Sequence, residues 1–319
     1  MPDKVKVSHS IDLGPLPDEF VPIARRQGED PDLTCNYLEE LRNVIFERGD
    51  FQPHRTDDEF LIKFLRARFF KVENAYKLLQ RYQEFRESNQ ELYFNVDPFS
   101  LTHLGENDIV SVTPYHDQNG RRMMFYKVGN WKPSKVPITD LFKAALLLLE
   151  MGSLEPQAQV TLSVDLLKDK NIEIVLAQVL GGVGIFDLEG FTINHAMLIT
   201  PSIASKIICL MVTCMPLRTD SIHIVNQSWA FDMVFKIFKP FLNEKMRSRI
   251  FFHGTNMASL HKHIDKDHLP IKYGGYMDDY PYTTWKDSLK ENSTVVRELQ
   301  RLGYTIDDDD IGSAIIERK

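Results

Sequence analysis

From residue 32 onward, apolar positions recur at steps of three and four. Leu33, Leu38, Leu41, Val44 and Ile45 form one stripe, which predicts an amphipathic helix to about residue 48. The run Thr56-Asp57-Asp58-Glu59 reads as a capping box, in which the Thr56 oxygen and the Glu59 carboxylate satisfy free N–H groups at a helix start. It opens FLIKFLRARFF. Residues 72–89 repeat the spacing through Ala75, Leu78, Leu79, Tyr82 and Phe85. Three short helices with brief connections predict a small bundle ending near Asp97. Residues 1 to about 30 carry scattered proline, glycine and charge without a sustained period, so they read as a loose arm.

Beyond residue 97 the period changes to two. Residues 109–113 and 123–128 bracket His116-Asp117-Gln118-Asn119-Gly120, and a polar run closing in Asn-Gly is a strong hairpin signal. Residues 140–152 read as a helix with Leu141, Ala144, Ala145, Leu148 and Leu149 inward, and 201–212 as another, with Pro201 in its first turn. Residues 183–188, 222–225 and 249–253 read as strands. Strands alternating with helices predict an α/β sheet covered on at least one face. A short helix at 258–264 and a turn at 269–275 follow, and the run 307–310 begins a charged, solvated tail.

Residues 222–254 bring together two unlike features. Between 228 and 238, Trp229, Phe231, Met233, Val234, Phe235, Ile237 and Phe238 are apolar and only Asp232 and Lys236 are charged, so a helix here is greasy around most of its circumference. Pro240 ends it. A second helix restarts near Asn243, with Lys245 and Arg249 four apart on one face and Arg247 on the flank. The oily stretch is too short to cross a bilayer, which needs roughly twenty residues. It is either a core helix followed by a solvated basic face, or a movable cover over an apolar cavity.

Charge sharpens this. The 319-residue chain has a formal net charge of −7, which argues against general nucleic-acid binding and makes the basic cluster a local feature suited to an anionic surface or ligand. Cys35, Cys209 and Cys214 show neither CxxC nor metal spacing and, without a secretory signal, are expected to be reduced cytosolic thiols. The longest apolar run, 144–149, is far too short for a membrane span.

FLRAR at 64–68, FDLEG at 186–190, ITPS at 199–202, FKPFLNEK at 238–245 and LPIKYGG at 269–275, in this order, resemble the CRAL-TRIO family of lipid-binding and lipid-transfer proteins. The similarity covers residues 32 to 280. It implies an α/β fold, with a small N-terminal helical bundle (the CRAL-TRIO N-terminal domain) ahead of a mixed α/β lipid-binding domain whose apolar pocket is closed by a hinged lid helix. The expected division is an arm at 1–30, the three-helix domain at 31–97, the lipid-binding domain at 98–280 and a C-terminal extension with an acidic tail at 281–319.

Two sites follow from the resemblance. Arg68, Arg218, Lys245 and Arg249 correspond to a cleft for a phosphatidylinositol bisphosphate headgroup, a task for which arginine's planar fork is suited. The ligand pocket corresponds to Tyr126, Phe142, Ala145, Leu146, Leu149, Phe186, Ile207, Leu210, Met211, Leu217 and Ile222, and the lid to Trp229, Phe231, Val234, Phe235 and Phe238. Each pocket residue alone is also an ordinary core residue. Gly182, Gly184 and Phe186 share one strand face at period two, and glycines there leave room for a close approach by a neighbouring element or a lipid. Where the family's tocopherol-binding branch places hydroxyl groups against its cargo, this chain has Ala145 and Leu149.

By this resemblance the expected ligand is a hydrophobic small molecule, tocopherol-, retinoid- or other isoprenoid-like, with no cofactor, no metal and no nucleic acid. The expected partner is a phosphoinositide-containing membrane of the endosomal or Golgi system, visited reversibly by a cytosolic monomer. An insertion at about 159–180 carries its own apolar period and reads as an extra helix. Two alternatives stand beside the carrier. One is a phosphoinositide-binding adaptor without cargo transfer. The other is an acid/base enzyme built on Asp187, Glu189 and His195, which lack a nucleophile elbow, metal spacing or cofactor fingerprint.

Overall fold

A computed structural model describes residues 11, 13–156, 182–217, 219–278, 280, 289, 290 and 292–306. Arg218, the insertion at 159–180 and the acidic run from 307 lie outside the described residues.

The N-terminal helices are α1 (Val21–Arg26), α2 (Thr34–Arg48), α3 (Asp58–Ala67) and α4 (Val72–Ser88). α2 stops at Gly49, whose φ of 60° is the left-handed conformation that glycine adopts without penalty. The cap of α3 falls one residue later than the capping box predicts. Asp57, not Thr56, accepts the Phe60 N–H, and Arg55 grips the same carboxylate with two 2.8 Å bonds. A carboxylate at a helix N-terminus also meets the positive end of the helix dipole, which a hydroxyl cannot exploit as well. Inside the bundle, Phe60 and Phe64 both meet the Tyr82 ring edge-on. The stretch predicted as a loose arm is partly helical: α1 buries Ile23 and Ala24, and Glu29 is paired with Arg66 of α3.

After the short α5 (Thr102–Glu106) come β1 (Val110–His116) and β2 (Arg122–Lys127), paired antiparallel through the predicted hairpin, with Gly120 at φ 77° in its turn. The chain continues through α6 (Ile138–Gly152), β3 (Gly182–Asp187), α7 (Ile193–Met197), α8 (Pro201–Ile208), a π-helical turn (Cys209–Thr213), β4 (Thr219–Val225), α9 (Trp229–Phe238), α10 (Glu244–Arg247), β5 (Ile250–Gly254) and α11 (Met257–Leu260). The five strands lie in chain order, and β2 to β5 are parallel. Parallel crossovers are right-handed almost without exception, so steps that all go one way deliver their helices to one face. That face carries Tyr126, Phe186, Ile222 and Ile224.

The opposite face buries Met123, Phe125, Val183, Ile185 and Val225 under Leu260, Ile264, Leu269 and Tyr273. It also holds a chain of neutral polar side chains. His223 Nδ1 lies 2.9 Å from His253 Nε2, its Nε2 lies 3.0 Å from Ser221 Oγ, and His253 Nδ1 lies 3.0 Å from Ser259 Oγ. Burial, reinforced by repulsion from neighbouring histidines, pushes His223 down to about 3 and His253 to about 4.

A further helix, α12 (Ser293–Arg301), lies outside the elements expected from the sequence. It buries Val295, Val296 and Leu299 and is anchored by Glu298 on Arg55 at 2.8 Å and by Arg86 donating to the Leu302 carbonyl at 2.6 Å. The main core is continuous from the N-terminal helices through α6 to this element.

Candidate functional site

Two cavities lie on either side of α8 and the π turn that follows it. The first is a cleft of about 250 Å³ with cationic residues at its rim and an apolar floor. Arg68 reaches it from the residue that ends α3, Lys245 from α10, and Arg249 from the residue preceding β5. Asn243 lines it too and caps α10, its side chain accepting the Met246 N–H at 2.9 Å. The floor comprises Ile208, Val212, Leu217, Ile222, Leu242, Met246 and Ile250. Three of the four predicted headgroup residues thus line one cleft; the fourth, Arg218, is not described. Arg66, in the same FLRAR motif, instead pairs with Glu29.

The second cavity, of about 140 Å³, is almost wholly apolar. Tyr126 and Phe186 from adjacent strands, Phe142 and Ala145 from α6, and Ile207, Leu210 and Met211 from α8 and the π turn all line it. The Tyr126 and Phe186 rings stack with centroids 4.7 Å apart, and burial pushes the Tyr126 phenol far above its ordinary range. The remaining predicted pocket residues lie elsewhere. Leu146 and Leu149 point into the continuous core, while Leu217 and Ile222 line the cationic cleft. A Cβ on Gly182 would stand 3.1 Å from the Met124 methyl, and one on Gly184 would stand 3.3 Å from the Phe186 ring. The room those glycines leave is filled by the sheet's own side chains.

Several wall residues escaped sequence reasoning: Ile109, Val110, Val128, Trp131, Ile138, Leu141 and Ile199. Leu141 already stood on the inward face of α6. Trp131 sits in an aperiodic connection, where only its size marked it; its indole N–H donates to the Val136 carbonyl at 2.8 Å.

The predicted lid helix is α9. It buries Ala230 and Val234 against Leu188, Phe191, Ala196 and Ile224, and Phe238 is partly buried there. Phe231 meets Phe191 edge-on at 6.2 Å, and Phe235 meets Phe252 edge-on at 4.9 Å. None of its residues lines either cavity. The link is indirect, because Phe186 and Ile199 belong both to the apolar cavity wall and to the cluster beneath α9. On its outer side, Trp229 is 67% exposed and Met233 48%. Neighbouring elements also expose large apolar groups: Ile193 and Met197 on α7, Leu198 just after it, and Phe252 on β5.

The CRAL/TRIO domain model matches residues 106–275, more than half of the chain, and the CRAL/TRIO N-terminal domain model matches residues 36–81. The chain belongs to the CRAL/TRIO family. Clavesin-1 of Mus musculus is 31% identical over 289 residues, covering 90% of this chain and 76% of that protein. Clavesin-2 of Homo sapiens is 30% identical over 284 residues, covering 88% and 81%. Among solved structures, that of Sfh5 matches with a TM-score of 0.47 and 14% identity over 80% of this chain and 91% of its own. CRAL/TRIO proteins bind lipophilic ligands and transfer them, and in general they are not enzymes.

In this CRAL/TRIO chain the three residues that suggested acid/base chemistry have structural partners. Asp187 accepts from the Asn226 amide at 2.8 Å, the Glu189 N–H at 3.0 Å and the Tyr273 hydroxyl at 3.1 Å, and pairs with Lys272 at 2.9 Å. Burial alone would raise its pKa; those hydrogen bonds and the lysine hold it below the usual carboxylate range. Lys272 also reaches Glu189, at 3.4 Å. His195 Nε2 bonds the Trp131 carbonyl at 2.8 Å while its Nδ1 accepts the Thr192 N–H at 3.0 Å, so the ring staples the connection after β2 to α7. Among the described residues, no group of three His, Cys, Asp or Glu side chains is arranged to hold a metal ion, and no helix is long and apolar enough to cross a membrane.

Proposed function

We propose that this protein carries a hydrophobic small molecule of tocopherol, retinoid or other isoprenoid type in the apolar cavity, and exchanges it at membranes whose phosphatidylinositol bisphosphate headgroups enter the Arg68, Lys245 and Arg249 cleft. The observation that carries the reading is the placement of an apolar cavity and a cationic cleft back to back on one segment, α8 with its π turn. Residues 31–97 would serve as the supporting helical domain, supplying Arg68, and 98–280 as the lipid-binding domain.

Cavity size adds a requirement. Ligand sites usually exceed about 300 Å³, whereas this cavity is about 140 Å³. Cargo of isoprenoid length therefore enters only if a wall moves. α9 is the candidate, since its removal would free Phe186 and Ile199 to turn away from the cavity.

Magnitudes favour two attachments acting together. About 1 kcal/mol per basic residue near an anionic surface gives three or four residues only about 3–4 kcal/mol, which is millimolar binding. Burying one or two exposed apolar side chains of α9 contributes roughly 1.5–3 kcal/mol each and brings residence toward micromolar. The protein would thus act as a monomer that visits endosomal or Golgi membranes reversibly from the cytosol.

The small cavity favours one other reading, a phosphoinositide-binding adaptor with no cargo. Native mass spectrometry and solvent extraction of the purified protein separate them. A stoichiometric hydrophobic molecule supports the carrier, and its consistent absence supports the adaptor. Chemical conversion of the extracted molecule would favour an enzyme instead.

A further inference from the structure

A thiol pair occupies the wall that the two cavities share. α8 runs directly into the π turn Cys209–Thr213, in which the Cys214 N–H bonds the Cys209 carbonyl at 3.0 Å. A π turn brings together residues five apart, where an α-helix aligns residues four apart, and such turns concentrate at functional segments. Here the two residues five apart are both cysteines. They are free thiols at the two ends of one hydrogen-bonded π turn; Cys214 is fully buried and Cys209 half-buried. The residues between them are cavity wall: Leu210 and Met211 face the apolar cavity and Val212 faces the cationic cleft.

The surroundings give the two sulfurs different roles. The Cys214 S–H donates to the Cys209 sulfur, and this, with the Thr213 hydroxyl and the Arg81 guanidinium, holds the Cys209 thiol well below the ordinary range against the opposing effects of partial burial and of Glu84. Cys214, the hydrogen-bond donor and buried besides, is pushed up. A low-pKa, accessible thiol next to a protonated partner is the arrangement of a reactive cysteine and its resolving cysteine.

We propose that Cys209 and Cys214 form a redox-modification site for hydroperoxides, closing to an intramolecular disulfide on the wall between cargo cavity and headgroup cleft. The Cys209 thiolate attacks the terminal peroxide oxygen; the O–O bond breaks, the leaving alkoxide takes a proton to become an alcohol, and Cys209 becomes a sulfenic acid. The Cys214 sulfur then attacks the sulfenic sulfur; the S–S bond forms and the hydroxyl leaves with the Cys214 proton as water. Two electrons pass from the thiols to the peroxide. A disulfide requires Cα atoms within about 7 Å, a span consistent with one hydrogen-bonded π turn. Drawing the two sulfurs together to about 2.05 Å tightens that turn, so Leu210, Met211 and Val212 move together. Only this last consequence, for cargo and headgroup, rests on the carrier reading.

The test uses the full chain, in its original form and as the Cys35→Ser variant, which removes the one thiol exposed on α2. Each is treated with hydrogen peroxide or cumene hydroperoxide and examined by thiol titration and peptide mapping. In the Cys35→Ser protein both remaining thiols should vanish, a single peptide pair cross-linked through 209 and 214 should appear, and dithiothreitol should restore both thiols. The oxidation rate should rise with pH through a midpoint below the ordinary thiol value of about 8.5. A Cys214→Ser protein should stop at a sulfenic acid that dimedone traps on Cys209. Should that variant fold poorly, the cross-link map of the unmutated chain decides alone. Persistence of both thiols at a peroxide dose that fully oxidises Cys35, or oxidation of Cys209 with Cys214 still free, overturns the proposal. The titration reads the same whether or not the protein carries cargo, so this outcome and the fate of the carrier reading remain distinct.

Discussion

Trp229 is the sharpest probe of membrane docking because it is 67% exposed at the start of α9, on a helix whose inner residues Ala230 and Val234 are buried. An aromatic side chain of this kind offers about 150–250 Å². Two thirds of that area, at about 25 cal/mol per Å², is worth roughly 2.5–4 kcal/mol if it passes wholly from water into the acyl region. Trp229→Ala should therefore weaken partitioning onto phosphoinositide-containing vesicles by about two orders of magnitude, and by about one if the ring only half inserts. The same change should leave folding stability within about 0.5 kcal/mol, since little of the ring is buried in the protein. Vesicle sedimentation across a lipid titration, paired with urea denaturation, measures both. A variant that binds vesicles like the parent would show that this face is not the docking surface, and the mechanism in which α9 inserts would fall with it.

Other expectations follow from the same geometry. Lys245→Ala with Arg249→Ala should weaken binding to vesicles bearing phosphatidylinositol bisphosphate about 30-fold, at about 1 kcal/mol per charge, while leaving binding to neutral vesicles unchanged; an equal loss on both would mean the cleft does not read headgroups. Ala145→Phe should place a ring in the apolar cavity and abolish co-purifying hydrophobic ligand, at a stability cost of at most about 1–3 kcal/mol from overpacking; full ligand stoichiometry by mass spectrometry would place the cargo elsewhere. Acidification should destabilise the fold above the carboxylate range. His223 and His253 titrate lower when folded than their ordinary value of 6.5, so the unfolded chain binds more protons between those values. Their contribution is fully present above pH 6.5 and is lost as pH falls, by up to roughly 1.4 kcal/mol per pH unit for each histidine. Urea midpoints at pH 7.5, 6 and 5 should fall, less steeply in His253→Gln, and a flat profile would refute the assignment.

What could be read beforehand depended on how long each pattern lasts. α2 and α4 run for 15 and 17 residues, long enough for a 3.6-residue period to repeat, and the hairpin between β1 and β2 was marked by its Asn-Gly. α1, with only 6 residues, completes less than two turns, so its apolar pair looked accidental. α12 carries a legible pattern, since Val295, Val296, Leu299 and Leu302 lie on one face, but it stands beyond the motifs that the resemblance covers. The π turn leaves no mark in hydrophobicity, since Cys209 to Val212 simply continue the apolar run of α8. Neighbouring residues of α6 illustrate the limit at the site itself: Ala145 meets a cavity and Leu146 meets solid core, yet both are apolar and their periodicity cannot separate a void from a packed side chain. The convergence of Arg68, Lys245 and Arg249 depends on tertiary structure, and only the resemblance linked such distant positions.

The shared wall also constrains how a carrier of this design must work. Among the residues lining the two cavities, only the segment of α8 and the π turn contributes side chains to both, through Ile207, Leu210 and Met211 on one side and Ile208 and Val212 on the other. Coupling between sites requires an element that both ligands bias, and it is reciprocal. If headgroup binding is to loosen the cargo, cargo must weaken headgroup binding by the same factor. A loaded protein that relied on the cleft alone would then be the form least able to reach a membrane. The remedy is an attachment that does not pass through the shared wall. The outer side of α9 meets that condition: Trp229 and Met233 are exposed while the helix is still packed, and neither lines the cavity or the cleft. On this reasoning, if the protein is a carrier, the exposed Trp229 and Met233 bring it to the membrane whether it is loaded or empty, while release needs both headgroup capture in the cleft and displacement of α9 from the cluster that holds Phe186 and Ile199.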